Sequence, residues 1–340
     1  MGVHGGDVYR NHVKMDFSVS VNPLGTPECV QNALHAAVSL CGQYPDPEAE
    51  KLKKAVSASL GVPEEYLLFG NGASELFMAV VHGIRPKKIV IPVPSFYGYE
   101  YAAKSAGSEI LYYEMKPENH FCVKEDIKQI LTEDVGLLFL ASPNNPVGNL
   151  LDRERMGELL RHCRDREIYV LMDECFLEFC GASFSALSEL KNSEHLILVR
   201  AYTKIFSIPG VRLGYLLCKK KAVRAKIAQQ LPEWNLSCFA QEAGCLCAGQ
   251  EKFILETQEY VKKERQFMEA RLREHGLLVF PSMANFILVY SELPLYGKLL
   301  EKGILIRDCS NFRGLKKGYY RIAVKSRKEN EILLRETGAL

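Results

Sequence analysis

The sequence predicts an α/β protein, with a mostly parallel sheet of seven strands between helices in a large domain and a smaller α+β domain beside it. Three observations carry this reading. Short apolar runs of strand length alternate with amphipathic stretches from about residue 46 to residue 230, the order that parallel strands joined by crossover helices require. After Leu231-Pro-Glu-Trp-Asn235 the pattern changes to long helical segments. The length, 340 residues, exceeds what one hydrophobic core usually serves.

Taken in order, Asp16-Phe-Ser-Val-Ser-Val-Asn-Pro-Leu-Gly25 is extended and turn-rich, and is expected to pack on a later part of the chain. Residues 46–61 predict a helix, with Asp46 as acidic cap, Pro47 in the first turn, Ala49, Leu52, Val56 and Leu60 on one face, and Gly61 as the stop. The candidate strands are residues 66–69, 88–93, 109–113, 135–140, 169–172, 196–199 and 212–217. Residues 241–249 and 253–275 read as helices, followed by two strand-like runs and a final helix. These elements divide into a large domain over residues 36–232 and a small one made of residues 1–35 and 233–340.

Composition narrows the function. With 47% hydrophobic and 25% charged residues and a net charge of +2, the chain gives no reason to expect a nucleic-acid or membrane partner. The eleven cysteines are scattered, without a C-x-x-C pair, so neither a disulfide framework nor a metal site is expected. The polar N-terminus lacks an apolar signal region and the longest apolar runs have strand length, which points to a cytoplasmic protein acting on small molecules.

Several segments carry chemistry. Lys204 follows an apolar run, His195-Leu-Ile-Leu-Val199, and has Thr203 beside it and Arg212 eight residues later. Amine, hydroxyl and guanidinium together suit an aldehyde cofactor bearing a phosphate. Leu68-Phe-Gly-Asn-Gly-Ala-Ser-Glu-Leu76 places a small-residue turn between strand and helix, where free N–H groups could hold that phosphate through Ala73 and Ser74, or serve only tight packing. Asp173 closes an apolar strand at the edge where open α/β sheets bind ligands. It could keep a pyridine nitrogen protonated, cap a helix or bind Mg2+. Ser142-Pro-Asn-Asn-Pro146 makes a rigid turn able to aim an amide at an oxyanion, and Phe96 could lie on an aromatic ring or fill the core.

In their order, these features resemble fold-type I pyridoxal-phosphate enzymes of the aminotransferase class I/II superfamily, over nearly the whole chain. The resemblance implies an aspartate aminotransferase-like fold, pyridoxal 5'-phosphate as cofactor and a homodimer. It implies that Lys204 forms the Schiff base, Asp173 pairs with the pyridinium, Asn145 donates to the phenolic oxygen and Phe96 stacks on the ring. Ala73, Ser74, Thr203 and Arg212 would hold the phosphate, helped by Tyr44 across the dimer interface, and Arg321 would clamp the substrate carboxylate. Two positions depart from the pattern: Phe176 stands where a tyrosine is common, and Ala201 where a phosphate-binding hydroxyl is common.

Within the superfamily, His4-Gly-Gly-Asp7, residues 16–25, Asp173-Glu-Cys-Phe176 and Ile306-Arg-Asp-Cys-Ser-Asn-Phe312 look like the threonine-phosphate decarboxylases of cobalamin biosynthesis. That implies loss of carbon dioxide from L-threonine O-3-phosphate or a close phospho-amino acid to give aminopropanol phosphate, with His4, Asn22 and Arg307 as candidates for the substrate phosphate. A histidinol-phosphate type aminotransferase using 2-oxoglutarate is the alternative. A non-catalytic cofactor-binding protein is the remote one.

Overall fold

The computed structural model describes residues 4–11 and 13–340; Met1, Gly2, Val3 and His12 lie outside the described residues. Its centre is a seven-stranded sheet whose strands are β2 (Leu67–Asn71), β3 (Lys88–Val93), β4 (Glu109–Glu114), β5 (Val135–Ala141), β6 (Tyr169–Asp173), β7 (Leu196–Ala201) and β8 (Leu213–Cys218). In space they run β2-β8-β7-β6-β5-β3-β4. Only β8 is antiparallel to its neighbours β7 and β2. The central strands are apolar and buried along their length, as a sheet covered on both faces demands.

Helices α3 (Ala73–Ile84), α4 (Tyr97–Ser105), α5 (Arg153–Arg164) and α6 (Tyr202–Ile205) connect these strands, and α7 (Lys221–Ala228) follows β8 and packs against α3. Two more, α1 (Glu28–Ala37) and α8 (Cys238–Cys247), pack against each other. They send Val30, Ala240, Ala243 and Cys247 into the same core. The larger core therefore extends beyond residues 36–232 at both ends. Helix α2 (Glu50–Leu60) begins later than the sequence predicts. Ala49 adopts a left-handed conformation ahead of it, and Asp46 caps from further back, accepting from the backbone N of Glu48 at 3.0 Å and of Glu50 at 2.7 Å.

A second core gathers Phe17 with α9 (Glu251–Glu274), α10 (Leu295–Glu301) and α11 (Arg327–Gly338). Its sheet has the order β12-β13-β10-β9, formed by β9 (Leu278–Val279), β10 (Phe286–Tyr290), β12 (Arg307–Asp308) and β13 (Tyr319–Ala323). The extended N-terminal segment does pack on the C-terminal part, with β1 (Met15–Asp16) parallel to β11 (Ile304–Leu305). The sequence predicts two strands here, whereas the fold has five, because three of them are only two residues long. Such pieces leave no alternating pattern to read.

Candidate active site

A cavity of about 700 Å³ opens at the carboxyl ends of β3, β5, β6 and β7, and is closed on its far side by residues 307–321 of the second sheet region. Open α/β sheets place their ligands at this edge. Eleven of the thirteen residues singled out above line it: His4, Ala73, Ser74, Phe96, Asn145, Asp173, Thr203, Lys204, Arg212, Arg307 and Arg321.

At one end α3 starts directly after β2, and its N-cap, Gly72, offers no side-chain cap. The first-turn N–H groups are thus open to an anion at the positive end of the helix dipole. Arg212 stands beside them, its own backbone left-handed at φ 61°, its guanidinium donating to the carbonyls of Pro209 at 3.1 Å and Asn71 at 3.2 Å. Gly72 is required here: it sits at φ +76°, and a Cβ would lie 2.6 Å from Arg212 Nη2. Ser74 and Thr203 face the same space with hydroxyls that make no hydrogen bond to the described residues.

In the middle, α6 follows β7 without a break and carries Lys204 into the cavity. Its amine makes no hydrogen bond or ion pair with any described residue. Burial first, and then the charges of Arg321 and Arg212, hold its pKa down to about 8, against the opposing pull of Cys175 and Asp173. Asp173, at the end of β6, accepts from Tyr99 Oη at 2.5 Å and from the backbone N of Cys175 at 2.9 Å. Burial raises its pKa, while the Cys175 thiol, the Tyr99 hydroxyl and the Cys175 backbone N, in that order, lower it. No cation pairs with this carboxylate among the described residues.

At the other end, β12 and β13 set Arg307 and Arg321 directly opposite each other in an antiparallel register, both buried. Arg321 donates to Asn145 Oδ1 at 2.5 Å and to the carbonyl of Ser18 at 2.8 Å, and its Nε is buried without a partner. Burial holds its pKa down to about 10. Arg307 donates to the Asp308 carbonyl at 2.6 Å and to Asn311 Oδ1 at 2.7 Å, and its guanidinium lies 5.1 Å from the Phe312 ring centroid. Neither arginine has a carboxylate in ion-pair contact among the described residues. His4 is nearby, its pKa lowered by burial and then by Arg307.

Two predicted residues fall elsewhere. Asn22 is buried and fully engaged in holding the chain behind Lys204: its amide donates to Ile205 O at 2.7 Å and Thr257 Oγ1 at 2.8 Å, and its backbone N donates to Lys204 O at 3.0 Å. It is a structural residue, and does not reach the cavity. Tyr44 is 82% exposed, its ring centroid 5.1 Å from that of Trp234, away from the cavity of its own chain.

The sequence reading missed Tyr99, Ser18, Ser20, Asn311 and Arg313, all of which line the cavity. Tyr99 had a usable signal, since it follows Phe96 by three positions and so shares the first-turn face of α4. The departures are also visible. Phe176 turns its ring edge-on to Phe286 at 5.0 Å and has no hydroxyl to offer, and Ala201 lines the cavity wall as a buried methyl.

An unpaired buried amine, a buried carboxylate with no cation, and an uncapped helix start beside an arginine define a site of the pyridoxal-phosphate kind on an α/β fold. The aminotransferase class I and II family model matches residues 12–336, and the chain belongs to that family. As a member it uses pyridoxal 5'-phosphate. Among curated proteins, the threonine-phosphate decarboxylase of Salmonella typhimurium is 33% identical over 324 residues, 94% of this chain and 89% of that protein. Among solved structures, the histidinol-phosphate aminotransferase of Clostridium acetobutylicum superposes with a TM-score of 0.90 at 33% identity, covering 96% of this chain and 98% of its own. The L-threonine-O-3-phosphate decarboxylase of Porphyromonas gingivalis superposes with a TM-score of 0.83 at 25% identity, covering 95% and 98%.

Proposed function

We propose that the chain is a decarboxylase of L-threonine O-3-phosphate, or of a close phospho-amino acid, yielding aminopropanol phosphate and carbon dioxide in cobalamin biosynthesis. The observation that carries this reading is the facing pair Arg307 and Arg321. Two like charges opposite each other on neighbouring strands repel, and burial without a carboxylate is costly for each. A substrate with two anionic groups, a carboxylate on Arg321 and a phosphate on Arg307 with His4, relieves both costs.

The residues present fit the cofactor. Lys204 would bind its aldehyde carbon, Asp173 its ring nitrogen, Asn145 its phenolic oxygen and Phe96 one face of its ring. Ala73, Ser74, Thr203 and Arg212 would hold its phosphate, with Tyr44 reaching it from the second subunit of a homodimer. When bound, the cofactor supplies an electrophilic carbon for the substrate amine and a protonated ring that accepts the electrons of a bond broken at Cα.

The chain's own residues then determine which bond breaks. Arg321, fixed between Asn145 Oδ1 and the Ser18 carbonyl, grips the carboxylate and sets its angle to the ring plane. The Asn145 oxygen is occupied by that arginine, so its amide N–H groups are the donors left for the cofactor side. Arg307 and His4 hold the far phosphate and prevent rotation about Cα. Phe96, Phe176 and Phe312 line the walls and limit water. Lys204, whose amine is freed when the substrate amine takes its place on the cofactor and whose pKa is about 8 in the cofactor-free protein, can then hold a proton near neutral pH and give it to Cα in place of the departed carboxylate.

The second reading, a histidinol-phosphate type aminotransferase, is favoured by the high overlap with the Clostridium acetobutylicum structure. The two separate on incubation with threonine phosphate. Carbon dioxide release that is indifferent to 2-oxoglutarate supports decarboxylation, while amino transfer that requires 2-oxoglutarate, without gas release, overturns it. A cytoplasmic location is part of this proposal. Among the described residues no helix is long and apolar enough to cross a membrane.

A further inference from the structure

We propose that Tyr99 is a positioning residue that fixes Asp173 and sets how strongly that carboxylate pulls on the cofactor's ring nitrogen, a role that rests on the cofactor reading above. Its hydroxyl donates to Asp173 Oδ2 at 2.5 Å, inside the protein, with the residue only 2% exposed. The ring is held on three sides. It stacks on Phe139 at 4.9 Å and 18°, and meets Phe77 and Phe96 edge-on at 5.2 and 5.8 Å. A tyrosine so confined cannot swing its hydroxyl elsewhere without breaking this cluster.

The consequence follows from donor count. Asp173 Oδ1 already accepts from the backbone N of Cys175. With Tyr99 on Oδ2 the carboxylate plane is fixed at both oxygens, and only its remaining lone pairs are available to the cavity. A donor on a carboxylate makes it a weaker base, so the shared proton stays on the ring nitrogen rather than moving to Asp173. This keeps the ring cationic and able to accept electrons.

The charged and titratable groups that face Asp173 are Cys175, Tyr99, Glu174, Glu178 and Lys204. Tyr99, burial having raised its pKa well above 10, remains a donor across the working range. Glu174 is spoken for by Arg200 and Ser185. Tyr99 is therefore the group whose hydroxyl can be removed with the ring packing kept.

The test uses the loaded enzyme and reads the pH midpoint of its visible absorption band. In Tyr99→Phe the three aromatic contacts survive, so the chain folds. The proposal expects the midpoint to rise by about one pH unit, with kcat lowered and KM unchanged. Phe139→Leu is the control: it loosens the same packing without removing the donor, and is expected to lower Tm while leaving the midpoint in place. A Tyr99→Phe midpoint equal to that of the wild type, with the band present, overturns the proposal and leaves the cofactor reading intact. A wild-type chain that shows no band overturns both.

Discussion

Lys204 shows how much a single residue owes to its surroundings. A lysine read from sequence is a surface lysine by default, yet here burial and two arginines hold it to about pKa 8. In the cofactor-free protein the neutral, nucleophilic amine therefore predominates above pH 8 rather than above the usual lysine range. The rate of cofactor capture is predicted to rise with pH, to reach half its plateau near 8 and to level off about one unit higher, which absorbance after mixing at a series of pH values would follow. Lys204→Ala is predicted to abolish the band altogether. Arg307 carries a different prediction: Arg307→Met should raise KM for threonine phosphate by about 10- to 100-fold, the worth of charge-assisted hydrogen bonds, while leaving the reaction of unphosphorylated threonine nearly unchanged. Steady-state kinetics on both substrates measures the contrast. Glu178 belongs to the same scale. Its carboxyl oxygen Oε2 is buried without a partner, and burial pushes its pKa up to about 7. A carboxyl raised in the folded state gives its full stability below the unfolded value and loses it as pH rises through 7. Glu178→Gln is therefore expected to gain Tm over the wild type at pH 8 and not at pH 5, as thermal unfolding at the two values would show.

Among elements, the carboxyl ends of β6 and β7 support the site. Glu174, next to Asp173, is buried and accepts from Arg200 Nε at 2.9 Å, from Ser185 Oγ at 2.9 Å and from the backbone N of Ala186 at 2.6 Å. Arg200→Ala leaves that carboxylate buried and unpaired, at a predicted cost of about 3–5 kcal/mol in denaturant unfolding. The seven central strands were legible because buried strands of a covered sheet are continuous apolar runs, and the loops after them carry the chemistry at fixed places. What sequence could not supply was register and direction. Nothing in the apolar run of β8 says that it lies antiparallel to β7. Nothing in Ile306-Arg-Asp308 or Tyr319-Tyr-Arg321 says that the two arginines oppose each other. Asn22 was misplaced for a related reason, since its partners Ile205 and Thr257 lie far along the chain and an asparagine in a turn looks alike whether it faces ligand or backbone.

On the scale of the whole molecule, the cavity lies where the larger core meets the second sheet region, and both contribute charge to it. Cofactor binding should therefore stabilise the entire fold by mass action, by about 3 kcal/mol at a hundredfold excess over Kd, seen as a Tm that rises with added pyridoxal phosphate. The central claim is that one cavity holds a phospho-amino acid by both its anionic ends and replaces its carboxylate with a proton. Reaction of the loaded enzyme with threonine phosphate in deuterium oxide, followed by mass spectrometry of the organic product, tests it most directly. The account predicts aminopropanol phosphate carrying one non-exchanging deuterium on the carbon that lost the carboxylate. A product that keeps the carboxylate and has lost the amine would contradict it.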